Sequence, residues 1–487
     1  MKATAVVVGP GVDELVAAHY LARAGYAVTL LRERVEPPED VLERGWVPAA
    51  VVRDLELERH GLRIERPDPW AIVMPEDGGL ELGVDMTAAV EAIHRLSPAD
   101  ASKWPDFCKR MHALARLLEA LYTAPPPDPL AETRSGLVDL ARSGWRVRRL
   151  GRHGMEDLLR LLPMSVADFL DEWFENDTLK GVLAAAGVMH LCQGPRSGGT
   201  AFNLLHHLVG AASGVFRPAL SNVRSALSRR AGIEVRTEPV ARIDVRSGLA
   251  TGVTLQDGEE LAASVVVSGL APSRTLLELV DAAWLDPQFV RAVRNVRSRG
   301  PAATVSLVLD RDPRFTTLVV APSLDYLERA YDSVKYGRTS PQPYIEAMSL
   351  GAEAADRYRV QLHVQYVPHA PQDAVWDTAH STQLARAALA RLSEEVPGLS
   401  SWVIDQHVLT PDDLTQIHGC PQGQRYHAEL ALDQILWMRP IPALAQYRTP
   451  IERLYLCGPA MHPGGGIAGA AGANAASVIL SDLARNR

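Results

Sequence analysis

Val6-Val7-Val8-Gly9-Pro10-Gly11-Val12-Asp13-Glu14 reads as a buried strand, a glycine turn and the first turn of a helix. The apolar pattern carries that helix from Leu15 to Ala24, Gly25 stops it, and Val28-Thr29-Leu30-Leu31 forms a second strand. This order is the opening of a Rossmann dinucleotide site. Gly9 and Gly11 let backbone N–H groups approach a pyrophosphate at the positive end of the helix. Two positions depart from the fingerprint. The third glycine, which normally lets helix and strand close up beside the phosphates, is Glu14. The residue ending the second strand, where a carboxylate holds the ribose hydroxyls, is Arg32. A carboxylate about 4 Å from a phosphate charge is repelled by about 4 kcal/mol at an effective dielectric of about 20. If Glu14 instead points outward, it stabilises the helix dipole by about 0.5 kcal/mol. Glu33 reaches the ribose only through a bulge, because a one-residue slip turns a side chain to the opposite face.

A chain of 487 residues needs two or three domains. Its 47% apolar and 22% charged residues suit a globular protein, and a net charge of −8 argues against a general nucleic-acid surface. The first residues run straight into a strand, so no secretory leader is expected. No run approaches the roughly 18 uninterrupted apolar residues of a membrane span. Cys108, Cys192, Cys420 and Cys457 are scattered without CxxC spacing. Reduced structural thiols and a cytoplasmic location are the expectation. No His or carboxylate pair has metal-ligand spacing, so no metal is expected.

Helical patterns dominate from Ala49 to Leu208, broken by the stiff Ala124-Pro125-Pro126-Pro127-Asp128-Pro129 loop. Ser165-Val166-Ala167-Asp168 opens one helix as a capping box, and that helix is expected to run through Phe169, Trp173 and Phe174. Strand patterns return at Ile233–Arg236, Val240–Ile243, Gly252–Leu255 and Val265–Ser268, with Asp257-Gly258 as a hairpin turn. Near the end, Leu454-Tyr455-Leu456-Cys457 is a strand. Gly458-Pro459-Ala460-Met461-His462-Pro463-Gly464-Gly465-Gly466 follows, then a helix from Gly469 to Ala484. The chain thus closes in the grammar with which it opens.

His462-Pro463-Gly464-Gly465-Gly466, Gly469-Ala470-Ala471-Gly472-Ala473-Asn474, Leu432-Asp433-Gln434 and Met438-Arg439-Pro440 carry a resemblance that runs nearly end to end. Gly194-Pro195-Arg196-Ser197, Leu204-Leu205-His206-His207 and Asp171-Glu172-Trp173-Phe174-Glu175 add to it. The chain resembles the FAD-dependent oxidoreductases related to phytoene desaturase, nearest the branch of the pyridine nucleotide-disulfide oxidoreductase domain-containing protein 2 type. The resemblance implies an α/β fold, a Rossmann-like FAD/NAD(P)-binding domain with an interleaved α+β substrate domain. The first would comprise residues 1–48, 209–290 and 431–487, and the second 49–208 and 291–430. It also implies that Gly9, Gly11, Gly458, Gly464, Gly465 and Gly466 frame FAD and that the backbone at Val240 meets the adenine.

Departures from the family fall on the flavin side. They are Glu14, Arg32, a segment 34–39 without the usual glycine pair, Pro218-Ala219-Leu220-Ser221-Asn222 in place of another pair, and Ala460-Met461. They predict a protein with no cofactor bound in the usual mode, FAD in an altered pose being the alternative. The expected activity is flavin-independent isomerisation, cyclisation or dehydration of a small apolar or conjugated natural product, polyketide or isoprenoid. His207, His462, Asp433 and Arg439 are the candidate catalytic groups, with the imidazoles moving protons and Arg439 orienting a carbonyl or anion. An FAD-dependent desaturase and a non-catalytic relative that binds a lipid or a partner are the other readings. The charge and motifs predict no nucleic-acid partner and leave room for peripheral membrane contact.

Overall fold

Five parallel strands from both ends and the middle of the chain make one sheet, in the order Leu454–Leu456, Val265–Ser268, Thr4–Val8, Ala27–Leu31, Glu234–Arg236. In this computed structural model the described residues are 3–32, 43–74, 79–128, 134–149, 151–354, 356–372 and 375–485. The central strand is buried at Ala5, Val6, Val7 and Val8, as expected of a parallel strand covered on both faces. The helix Val12–Arg23 crosses back from it, and the helix Ala470–Arg485 packs alongside so closely that a Cβ at Gly472 would strike the Asp13 backbone. The two strand–glycine–helix units, more than four hundred residues apart in sequence, are therefore neighbours in one layered α/β unit.

A seven-stranded sheet forms the second layer system. Its order is Val403–Leu409, Ala302–Leu309, Arg357–Gln365, Ile345–Ala354, Thr317–Val320, Ala71–Val73, Leu80–Leu82. The last two strands lie inside the stretch whose sequence pattern is mainly helical. They are three residues each, too short for periodicity to reveal. The long helix Pro98–Tyr122 buries Trp104 and Phe107 against Phe174 and Phe216, with the Phe107 and Phe216 rings 5.4 Å apart. The buried apolar side chains divide into two clusters, one around each sheet. Val51, Leu55 and Leu57 pack in the cluster of the five-stranded sheet, although the sequence division sets them in the other part.

The Ser165 hydroxyl accepts the Asp168 N–H at 3.0 Å, as the capping pattern requires, but the helix stops at Asp171 instead of running through Phe174. The Phe174 and Trp173 rings turn into the aromatic cluster instead. Among the described residues no helix is long and apolar enough to cross a membrane.

Candidate cofactor and active site

The turn after the first strand is a cradle with something in it. Gly9 has φ +130°, a conformation that favours glycine, and its N–H donates to the Leu31 carbonyl at 2.9 Å. The Glu14 side chain folds back over this turn and does not point outward. A Cβ at Gly9, Gly11 or Gly269 would collide with its carboxylate. Glu14 is 2% exposed, and its Oε2 is buried with no hydrogen-bond partner. Burial pushes its pKa up to about 7, against the opposing pull of the Arg224 guanidinium and the amides of Gly11 and Glu14 itself. The neighbouring Asp13 carboxylate accepts the Gly472 N–H at 3.2 Å and so ties the two glycine–helix units together. Arg32 extends from the end of the second strand and donates to the Ser228 hydroxyl at 3.3 Å. Val240 begins the strand Val240–Arg246 and is buried. Glu33 and the segment 34–39 lie outside the described residues.

The C-terminal glycines form the other wall. Gly458 backs onto the Gly269 carbonyl, leaving no room for a Cβ between the two turns. Gly464 abuts the Arg439 guanidinium, the Tyr426 ring covers Gly465, and Gly466 faces the Tyr426 hydroxyl and the His207 ring. The Gly466 carbonyl accepts the Trp46 N–H at 2.9 Å, and the Trp46 carbonyl accepts the Ala468 N–H at 2.8 Å. Three imidazoles lie beneath this turn. His206 is saturated, since its Nε2 donates to the Gly465 carbonyl at 2.8 Å and its Nδ1 accepts the Tyr122 hydroxyl at 2.9 Å. His462 donates from Nε2 to the Leu121 carbonyl at 3.2 Å, which leaves its Nδ1 lone pair buried and unpartnered. The Nε2 of His207 is likewise buried and unpartnered.

A polar cluster continues from His207 and Tyr426 towards the seven-stranded sheet. The His190 ring is 5.0 Å from Tyr426 and 4.8 Å from His363. Beyond them Glu346 is clamped between two guanidinium groups. It accepts from Arg217 Nε at 2.8 Å and from the Tyr344 hydroxyl at 3.0 Å, and it pairs with Arg44.

In backbone terms, these residues fit FAD. Two glycine turns meet at a helix N-terminus, with donors placed for a diphosphate. One side chain, Glu14, opposes that fit from inside the cradle.

A sequence model described as flavin containing amine oxidoreductase matches residues 96–480. The chain belongs to the flavin-containing amine oxidoreductase family. It is 31% identical over 542 residues to pyridine nucleotide-disulfide oxidoreductase domain-containing protein 2 of Mus musculus, covering 98% of this chain and 93% of that one. It is 24% identical to one of the limonene dehydrogenase proteins of Castellaniella defragrans, covering 99% and 95%. The fold matches putrescine oxidase, solved with putrescine bound, at a TM-score of 0.59 and 13% identity over the whole of both chains.

Membership in a flavin-containing oxidoreductase family overturns the expectation of a protein with no cofactor in the usual mode. The finding points to FAD. The expectation rested on side-chain departures from the fingerprint, whereas the backbone of the two glycine turns, which would meet the diphosphate, keeps the close approaches at Gly9, Gly11 and Gly458. Nothing in these similarities supports the preference for flavin-independent isomerisation, cyclisation or dehydration.

Two of the four candidate catalytic groups lie apart from any open chemistry. Asp433 is 63% exposed at its side chain and pairs with Arg297 on the surface. Arg439 is fully buried, yet all of its hydrogen bonds go to the carbonyls of Met461, Glu429, Gln434, Ala428 and Pro459, at 2.9–3.2 Å. It is a clamp on the turn and has no N–H left to orient a substrate. His207 and His462 remain. The sequence reading missed Tyr122, Tyr426, His190 and the Arg44–Glu346–Arg217 cluster. Glu346 within the apolar run Ile345–Met348 was the available signal, because a strand buried on both faces has no place for a solvated charge.

The enclosed imidazoles have a consequence in solution. Burial lowers the pKa of His206, His363, His427 and His462 to about 4 in each case. A histidine whose folded pKa lies below its unfolded value of about 6.5 stabilises the fold above that pH and loses the contribution as the pH falls towards 4. The urea midpoint of unfolding is expected to drop between about pH 7 and pH 5. A midpoint unchanged across that range would mean that water reaches these rings.

Proposed function

We propose that the protein is an FAD-dependent dehydrogenase acting on a neutral, largely apolar substrate of isoprenoid type beneath the Gly464–Gly466 turn. The observation that carries this reading is the charge balance around that turn. Arg44 and Arg217 share one carboxylate, Glu346, which leaves one positive charge in excess. Arg439 adds another, with carbonyl oxygens as its hydrogen-bond partners. The surrounding imidazoles are neutral near pH 7, since burial lowers their pKa. An ammonium group about 6 Å from one such uncompensated charge meets a repulsion of about 3 kcal/mol at an effective dielectric of about 20. That penalty disfavours amine oxidation, while an uncharged substrate does not incur it. Similarity to the limonene dehydrogenase protein, named for a terpene hydrocarbon, supports the same class.

FAD, when bound, supplies a two-electron acceptor for the hydride removed from the substrate. The chain supplies a dry enclosure and proton acceptors. His462 has a fixed tautomer, because its Nε2–H is held by the Leu121 carbonyl, so Nδ1 is the nitrogen able to take a proton. His207 presents a buried, unpartnered Nε2. Tyr122 orders His206 behind them.

The test is anaerobic mixing of the FAD-loaded protein with a terpene hydrocarbon or longer polyene, and separately with primary amines. Visible flavin absorbance should bleach with the hydrocarbon and persist with the amines; the reverse pattern overturns the proposal. At least one of His207→Ala and His462→Ala should slow bleaching by about 100-fold or more, the usual range for a lost proton acceptor. Asp433→Asn should keep near the wild-type rate. Near-wild-type rates in both histidine variants would make the two rings structural.

A further inference from the structure

The anion-binding hollow at the start of the helix Val12–Arg23 already contains a carboxyl group of the chain's own. The Glu14 carboxylate lies over Gly9, Gly11 and Gly269, in the volume that the missing Cβ atoms leave open. We infer that Glu14 is the resident occupant of the dinucleotide phosphate cradle, and that FAD binds by displacing its side chain, so that this one residue sets cofactor affinity. The inference rests on the FAD reading above and narrows it to a residue.

Three observations separate this from a merely structural glutamate. First, a carboxylate retained for stability in a buried place is normally hydrogen-bonded at both oxygens, whereas Oε2 has no partner. Second, Arg224, whose charge bears on the carboxylate, also serves other acceptors. Arg224 donates to the Pro10 carbonyl at 2.7 Å and to Glu43 at 2.7 and 2.9 Å. Third, the other ionisable groups facing the carboxylate are unhelpful. Asp13 on the same helix and Cys457 after the strand Leu454–Leu456 both have their pKa raised, by burial first and by Glu14 in addition. Glu14 therefore sits where donors converge on an anion, but its own oxygens use them poorly. A diphosphate has more oxygens to offer the same amides and the helix N-terminus. Its entry requires the carboxylate to leave, because the two cannot share one hollow and like charges repel.

The experiment is titration of FAD into flavin-stripped wild-type protein, Glu14→Gly and Glu14→Gln, followed by quenching of flavin fluorescence, with thermal melting as the control for folding. Glu14→Gly removes bulk and charge and should bind FAD at least about tenfold more tightly than wild type. Glu14→Gln keeps the bulk, removes the charge and should fall between them. If wild type binds FAD and both variants match or weaken it, the cradle is not contested by Glu14 and the inference fails while the FAD reading stands. If all three proteins are folded and none binds FAD, both the reading and the inference fail.

Discussion

Arg439→Leu is expected to lower the free energy of unfolding by about 4 kcal/mol or more, a large fraction of the total for a typical domain. The guanidinium is buried and donates to five carbonyls drawn from two loops, 428–434 and 459–461. Each buried carbonyl left unpaired costs about 1–3 kcal/mol. Water entering the gap and relaxation of the loops keep the total below the plain sum. Burial lowers the Arg439 pKa to about 10, yet the group stays charged near neutrality because it remains far above ambient pH. Arg439→Lys keeps the charge but not the planar fork, so its loss should be intermediate. Denaturant unfolding reads the result. An unchanged midpoint together with lost activity would return Arg439 to a substrate-orienting role.

Glu346→Gln should cost about 3–5 kcal/mol, because it leaves Arg44 and Arg217 packed together without their shared anion. The pH dependence gives a second readout. Burial alone would raise the Glu346 pKa, but Arg44 and Arg217 outweigh it and hold the carboxyl well below the usual range. A carboxyl with a depressed folded pKa stabilises the protein above its unfolded value of about 4.3, and that contribution is lost as the pH falls below it. The stability gap between wild type and variant should therefore be full near pH 7 and narrow below about pH 4. A gap independent of pH would mean that lost packing, not charge, dominates.

The sequence was readable wherever local chemistry and long-range structure demand the same residue. Gly9, Gly25 and Gly258 all take positive φ, at a phosphate turn, a helix end and a hairpin, as their spacing implies. The terminal strand–glycine–helix units, Leu454–Leu456 and Ala470–Arg485, were legible for the same reason. Side-chain direction was not. Asp433 and Gln434 are adjacent, yet Asp433 meets solvent and Arg297, while Gln434 is buried and donates to the Arg297 and Glu429 carbonyls. Neither composition nor motif distinguishes them. His206 and His207 pose the same problem, since only the fold shows that the first has both nitrogens engaged and the second has one unpartnered. Arg44, Arg217 and Glu346 come from three distant segments, so no local pattern could assemble them.

The order of strands in the five-stranded sheet bears on how the chain is made. Thr4–Val8 is made long before its neighbours on one flank, which waits for Val265–Ser268 and then for Leu454–Leu456. Until that last strand arrives, Val265–Ser268 is an unpaired apolar edge of the kind that recruits other chains. The Asp13 carboxylate also stays unsatisfied until Gly472 and its helix dock. The glycine cradle is thus completed only once the helix Ala470–Arg485 has been made, through contacts whose long sequence separation makes closure slow. Residues 1–469 can all be made while this site is still open, and the helix Ala470–Arg485 is the piece whose docking closes it.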